Sequence, residues 1–209
     1  MSLVAASLLG LGLGVKHAFE PDHVAAVCTF VARGGTVGRA ALSGALWGLG
    51  HGAVIVVGGG ALIATGASVP APLAAVLEGA VAVMLVGLGI AAIVAWRRQR
   101  GAVQPPPPPP GKRPLAVGLV HGAAGTAALT IFVASTIPAR HAALAFVGVF
   151  GLASVLAMAF VAALMAWPLR SATQRSPKLA PRVQLVAGIA SIAAGLVLAA
   201  EVLGGAPPS

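Results

Sequence analysis

Apolar residues run through this chain in long, nearly uninterrupted stretches, separated by short clusters of basic residues and prolines. The stretches cover roughly Leu3–Val31, Ala40–Thr65, Pro72–Trp96, Pro114–Thr136, Ala142–Trp167 and Arg182–Leu203. Barrel strands alternate apolar and polar residues over about ten positions, whereas these runs are continuous and about 20 residues or longer, so they predict transmembrane helices. Pro70, Pro72, Pro114, Pro138, Pro168 and Pro181 mark their expected boundaries. The first stretch is too long for a straight span. As one helix Leu3–Val31 would measure about 43 Å against a hydrocarbon core of about 30 Å. Pro21 removes a backbone donor and clashes with the preceding turn, so a break is expected there.

Composition turns this pattern into a class. Of 209 residues 58% are hydrophobic and 8% are charged, against about 25% charged in soluble proteins. The fold class predicted is all-α, a polytopic membrane helical bundle with six transmembrane helices. Met1–Gly14 has no basic leading region and reads as the start of a span rather than a cleaved signal.

The net charge of +9 does not point to nucleic acid, because the basic residues fall between the apolar runs. One set of loops holds Arg33 and Arg39, then Arg97, Arg98, Arg100, Lys112 and Arg113, then Arg170, Arg175, Lys178 and Arg182. The opposite set holds Arg140. The positive-inside rule places the first set in the cytoplasm, which predicts a multi-pass protein of the inner (cytoplasmic) membrane with both termini outside. Trp96 and Trp167 lie where interfacial rings prefer to sit.

The chain is expected to form one transmembrane domain in two halves, 1–100 and 114–209, joined by a proline-rich cytoplasmic linker over 101–113. Six consecutive prolines there predict a polyproline II spacer, with Gln104–Pro114 spanning roughly 19 Å at about 3.1 Å per residue of the run. Three spans per half force the halves into opposite orientation. Gly14-Val-Lys-His17 and Gly118-Leu-Val-His121 open them alike, as two inverted repeats would.

The chemistry is concentrated in His17-Ala-Phe-Glu20-Pro21-Asp22-His23, which holds two of the four acidic residues in the chain. Ionisable groups at membrane depth are costly and by default mark a substrate, ion or proton site. Lys16, His51, Glu78 and His121 also lie in or near apolar runs. Imidazole with carboxylate suits Ni²⁺, Co²⁺ or Zn²⁺ better than Ca²⁺ or Mg²⁺. On a straight helix His17 and His23 would stand about 240° apart, so a break at Pro21 is needed to bring them together. His51 and His121, like His17, follow a glycine by three residues. Candidate metal residues are therefore His17, Asp22, His23, His51, His121 and Glu20. Thr126, Thr130 and Ser135 add polar groups along the fourth span.

Blander readings stand beside these. Histidines can be hydrogen-bonded cross-links, and Lys16 is expected to neutralise Glu20 one turn on. Glu78 is open to proton relay, pairing with Lys16, or interfacial placement. His141 is expected to be solvated, and Cys28 to be a small buried hydrophobe. Gly44, Gly48 and Gly52 form a small-residue stripe for close helix approach, and such glycine-rich faces also offer a route to a homo-oligomer.

The motif His17-x4-Asp22-His23 is similar to the signature of the nickel/cobalt transporter superfamily, and the chain resembles its short six-span branch of urease- and hydrogenase-accessory nickel transporters. Lys16 matches a basic residue before the motif, Leu49-Gly50-His51-Gly52 a Gly-His pair in the next span, and His121-Gly122 a His-Gly pair opening the second half. The chain departs from the classical members at Glu20-Pro21 and in a linker without histidine. The resemblance implies a divalent-cation permease, with Ni²⁺ or Co²⁺ as transported substrate rather than cofactor, and with His17, Asp22 and His23 as key metal-handling residues. The bilayer and the ion are the expected partners. Export, or a non-transporting accessory role in metalloenzyme maturation, are the alternatives. A single cysteine argues against thiol–disulfide chemistry, and no His-Glu-x-x-His or Gly-x-Ser-x-Gly motif supports a hydrolase; no enzymatic activity is expected.

Overall fold

A computed structural model describes residues 1–32, 35–98, 111–176 and 179–204. The proline run, Arg33, Arg100, Lys178 and the side chains of Thr130 and Ser135 lie outside the described residues. So do the polyproline II spacer and two of the polar groups expected along the fourth span.

All the predicted stretches are helical. The first is divided into α1 (Leu3–His17) and α2 (Pro21–Val31). The others are α3 (Val37–Thr65), α4 (Ala71–Arg98), α5 (Lys112–Thr136), α6 (Arg140–Arg175) and α7 (Leu179–Leu203). No strand occurs among the described residues. Four helices, α3, α4, α6 and α7, are long and apolar enough to cross a membrane, and the bent α1–α2 pair makes a fifth if counted as one span.

Local chemistry sets the helix ends. The Ser2 hydroxyl accepts the Ala5 N–H and the Thr36 hydroxyl accepts the Arg39 N–H, each at 3.2 Å, which satisfies donors that a helix start leaves open. Pro21, Pro72, Pro114 and Pro181 all fall in a first turn, where the missing N–H has no intrahelical partner to lose. Gly66 ends α3 at φ 72°, a left-handed cap that glycine adopts without strain. Pro168 is a correction to the sequence reading. It does not end its helix, and α6 continues to Arg175. Pro168 sits on an exposed stretch beside Trp167.

The expected break is present. Residues 18–20 leave the helix and α1 and α2 meet at 55°. Glu20 has φ −62° and ψ 147°, the extended conformation that a following proline imposes. In α3 a π-helical turn over Ile55–Gly59 follows His51, and the Ile55 N–H is shared by the His51 and Gly52 carbonyls.

Glycines bring the helices into backbone contact. A Cβ on Gly14 would stand 2.6 Å from the Phe150 carbonyl oxygen of α6, and one on Gly48 would stand 2.8 Å from Val155 Cα. The Gly44-Gly48-Gly52 stripe is thus occupied by α6 within the chain rather than left for a second copy. On the far side a Cβ on Gly89 would stand 2.5 Å from the Gly188 carbonyl oxygen, and one on Gly195 2.7 Å from that of Ala82. Ser191 Oγ donates across this seam to the Leu85 carbonyl at 2.7 Å.

The pairings have a regularity. Helix α3 packs on α6 and α4 on α7; α1 packs on α6 as α5 packs on α3; α2 packs on α7 as α5 packs on α4. Exchanging the first three stretches with the last three leaves this set unchanged. The correspondence reaches single residues, since Gly14 lies on the Phe150 carbonyl and Gly118 on the Trp47 carbonyl. Two buried cores result, one around Trp47, Leu85 and Met158 and one around Ile55, Phe146 and Phe150.

Candidate metal site

The bend at residues 18–20 turns the opening motif into a cup. His17 ends α1, while Asp22 and His23 occupy the first turn of α2. The ring centroids of His17 and His23 come within 4.3 Å, which a straight helix would forbid. His51 enters from the middle of α3, with its ring 5.0 Å from His17 and 5.2 Å from His23. His121 enters from α5, with its ring 4.1 Å from His23.

Two groups have donor atoms close enough to share one metal ion, all within 4.8 Å of one another. They are His17, His23 and His51, and Asp22, His23 and His121. His23 belongs to both. His23, His51 and His121 are at most 3% exposed. The structure therefore brings together five of the six candidate residues. Trp47 and Phe150 wall the cup, with rings 5.3 Å from His23 and from His17 respectively.

Hydrogen bonds tie the carboxylates to the rings. Asp22 Oδ1 accepts the His23 backbone N–H at 2.8 Å and lies 2.9 Å from His23 Nδ1, while Asp22 Oδ2 lies 2.7 Å from His121 Nε2. A carboxylate in the first turn also complements the positive end of α2. His17 Nε2 faces His51 Nε2 at 3.0 Å. His23 Nε2, His51 Nδ1 and His121 Nδ1 are buried without a hydrogen-bond partner among the described residues. Each such atom costs about 1–3 kcal/mol, so three in one side-chain cluster are costly unless a ligand engages them. Trp47 Nε1 is also unpartnered, but it is a donor and no use to a cation.

Glu20 is a second correction. It does not pair with Lys16, which is exposed and forms no ion pair among the described residues. Glu20 Oε2 lies 2.7 Å from His17 Nδ1, and Glu20 belongs to neither close group. The i,i+4 geometry assumed for Lys16 and Glu20 requires helix, and the helix ends at His17. Glu78 also lies outside both groups, on α4. Thr126 Oγ1 donates to the Gly122 carbonyl at 2.7 Å. His141 is exposed and Cys28 is a half-buried free thiol.

Sequence reading missed Trp47 and Phe150. Trp47 stands four residues before His51, hence on the same helix face, which is a usable signal. Phe150 is one of many apolar residues in α6 and carries no comparable mark.

An all-helical bundle with several membrane-length apolar helices, and with an imidazole–carboxylate cluster buried at a helix break, defines a multi-pass membrane protein with a candidate metal centre. Over 170 residues the chain is 30% identical to the urease accessory protein UreH of Bacillus sp. (strain TB-90), an alignment covering 76% of this chain and 75% of the relative. The chain belongs to the family of that urease accessory protein. No protein-family profile matches it, and no solved structure does.

Proposed function

We propose that this protein is a six-span secondary permease of the inner membrane for a transition-metal dication, Ni²⁺ or Co²⁺. The observation that carries the reading is the convergence of His17, Asp22, His23, His51 and His121, from α1, α2, α3 and α5, on one buried spot. Imidazole and carboxylate form a borderline donor set that fits such ions, and lone pairs without protein partners give the ion something to replace its water. Kinship with a urease accessory protein agrees with nickel as the cargo.

The exchange symmetry of the helix pairings supports two inverted three-helix halves. It matches Gly14, His17 and Phe150 with Gly118, His121 and Trp47. Sites between inverted repeats are reached alternately from either side as one half rocks on the other. Six spans with both termini outside and the proline-rich linker in the cytoplasm complete the proposal.

The test is uptake of radioactive nickel and cobalt by cells expressing wild type or His23→Ala at equal membrane abundance. Loss of accumulation in the variant is expected; equal accumulation would sink the proposal. Uptake by proteoliposomes holding only the purified protein separates a permease from a non-transporting accessory protein. If wild type lowers cellular metal and confers resistance, the direction is export.

A further inference from the structure

Three contacts in the cup join a carboxylate to an imidazole nitrogen. They are Glu20 Oε2 to His17 Nδ1 at 2.7 Å, Asp22 Oδ1 to His23 Nδ1 at 2.9 Å, and Asp22 Oδ2 to His121 Nε2 at 2.7 Å. An ionised carboxylate has only lone pairs to offer, so the proton in each contact belongs to the histidine. A neutral imidazole carries one N–H. Lone pairs are therefore left at His17 Nε2, His23 Nε2 and His121 Nδ1. The latter two are among the buried atoms without a partner, and the first faces His51 Nε2 at 3.0 Å.

The two close groups differ in this respect. In the group of Asp22, His23 and His121, both Asp22 oxygens are engaged by the two rings, while His23 Nε2 and His121 Nδ1 have no partner among the described residues. In the group of His17, His23 and His51, the carboxylates engage Nδ1 of His17 and of His23, which leaves His23 Nε2 without a partner and His17 Nε2 against His51 Nε2 at 3.0 Å.

We infer that Glu20 and Asp22 are positioning residues that do not bond the ion, and that the dication is held by imidazole nitrogen from His17, His23 and His51. The inference rests on reading the cluster as a dication site and assigns roles within it. Glu20 locks the His17 ring and Asp22 the His23 ring, each in the tautomer that presents Nε2. His121 grips the far oxygen of Asp22 and acts on the ion through it. Ligating histidines commonly give their other N–H to a carboxylate in this way, which fixes the ring and raises its basicity. A nitrogen cup also discriminates against Mg²⁺ and Ca²⁺, which require oxygen ligands.

The test uses detergent-purified full-length protein loaded with one equivalent of Co²⁺, read by X-ray absorption and visible spectroscopy. Wild type is expected to show imidazole scattering from at least three rings. His17→Ala and His51→Ala should each lose one ring from that count. Asp22→Asn and Glu20→Gln should keep the ring count and the oxygen count while affinity falls about 10–100-fold, with partial recovery in Asp22→Glu. An oxygen neighbour lost in Asp22→Asn, or an unchanged ring count in His51→Ala, would overturn the assignment. If a carboxylate variant does not fold, nitrogen-15 NMR of histidine-labelled wild type decides: Nδ1–H on His17 and His23 is expected, and Nε2–H on either overturns it. Wild type that binds no Co²⁺ would overturn the metal reading itself, and this inference with it. Bound Co²⁺ with an Asp22 oxygen would overturn this inference alone.

Discussion

Gly122 of α5 lies against the backbone of His51 in α3, so that a Cβ at position 122 would stand 2.5 Å from the His51 carbonyl oxygen and 2.9 Å from its Cα. No flexible side chain lies between to give way. Gly122→Ala must push α5 from α3 and carry His121 away from His51. A destabilisation of about 1–3 kcal/mol is expected from the overpacking, with a loss of metal affinity. Gly79→Ala, where a Cβ meets nothing within 4 Å, should be neutral or slightly stabilising. Detergent thermal melts and metal titration of the two variants check the contrast.

Removing His23 should abolish metal binding, because it is the residue shared by both close groups. His141→Ala alters an exposed residue outside both groups and should bind as wild type does. Equilibrium binding of Ni²⁺ to both purified variants measures this, with residual tight binding by His23→Ala as the contrary result.

Acid should weaken binding. A protonated imidazole has no lone pair to give, so ion binding must displace protons wherever the rings are charged in the empty protein. Affinity is thus expected to fall as pH drops. Calorimetric titration in two buffers of different ionisation enthalpy counts the protons released.

Pro21→Ala should loosen the cup without removing any donor. Alanine lets Glu20 leave its extended conformation, so α1 and α2 gain the option of continuing as one helix. The Glu20–His17 contact depends on the turn. A drop of about tenfold in metal affinity is expected, in the range for loss of an orienting partner, with helix content by circular dichroism unchanged or higher.

The α4–α7 seam offers a control on stability alone. Ser191→Ala removes a buried interhelical hydrogen bond of 2.7 Å and should cost about 0.6 kcal/mol, the average for such bonds in a membrane bundle. Metal affinity should stay at the wild-type value, since neither Ser191 nor Leu85 is part of the close groups.

Much of this site was legible because charge in hydrocarbon is costly and therefore conspicuous. His17, Asp22, His23, His51 and His121 stood out against apolar neighbours, and the length of the first stretch together with Pro21 foretold the bend. Glu20 was misjudged for a physical reason: its partner depends on where α1 stops, and helix ends are set by a few competing hydrogen bonds that helical periodicity does not encode. Pro168 misled in the opposite sense, because a proline stops a helix only when the lost backbone bond cannot be tolerated. Phe150 was silent because an apolar wall residue differs from its neighbours only in what it faces.

The glycine seams also set where this protein can change. Along α3–α6 and α4–α7 the partners touch main chain to main chain, so a substitution there is felt as a displacement of whole helices. On the outward faces Val57, Val83 and Leu156 are each more than 60% exposed. A saturation mutagenesis map should therefore show narrow intolerant stripes of small residues running beside broad faces where any apolar residue serves.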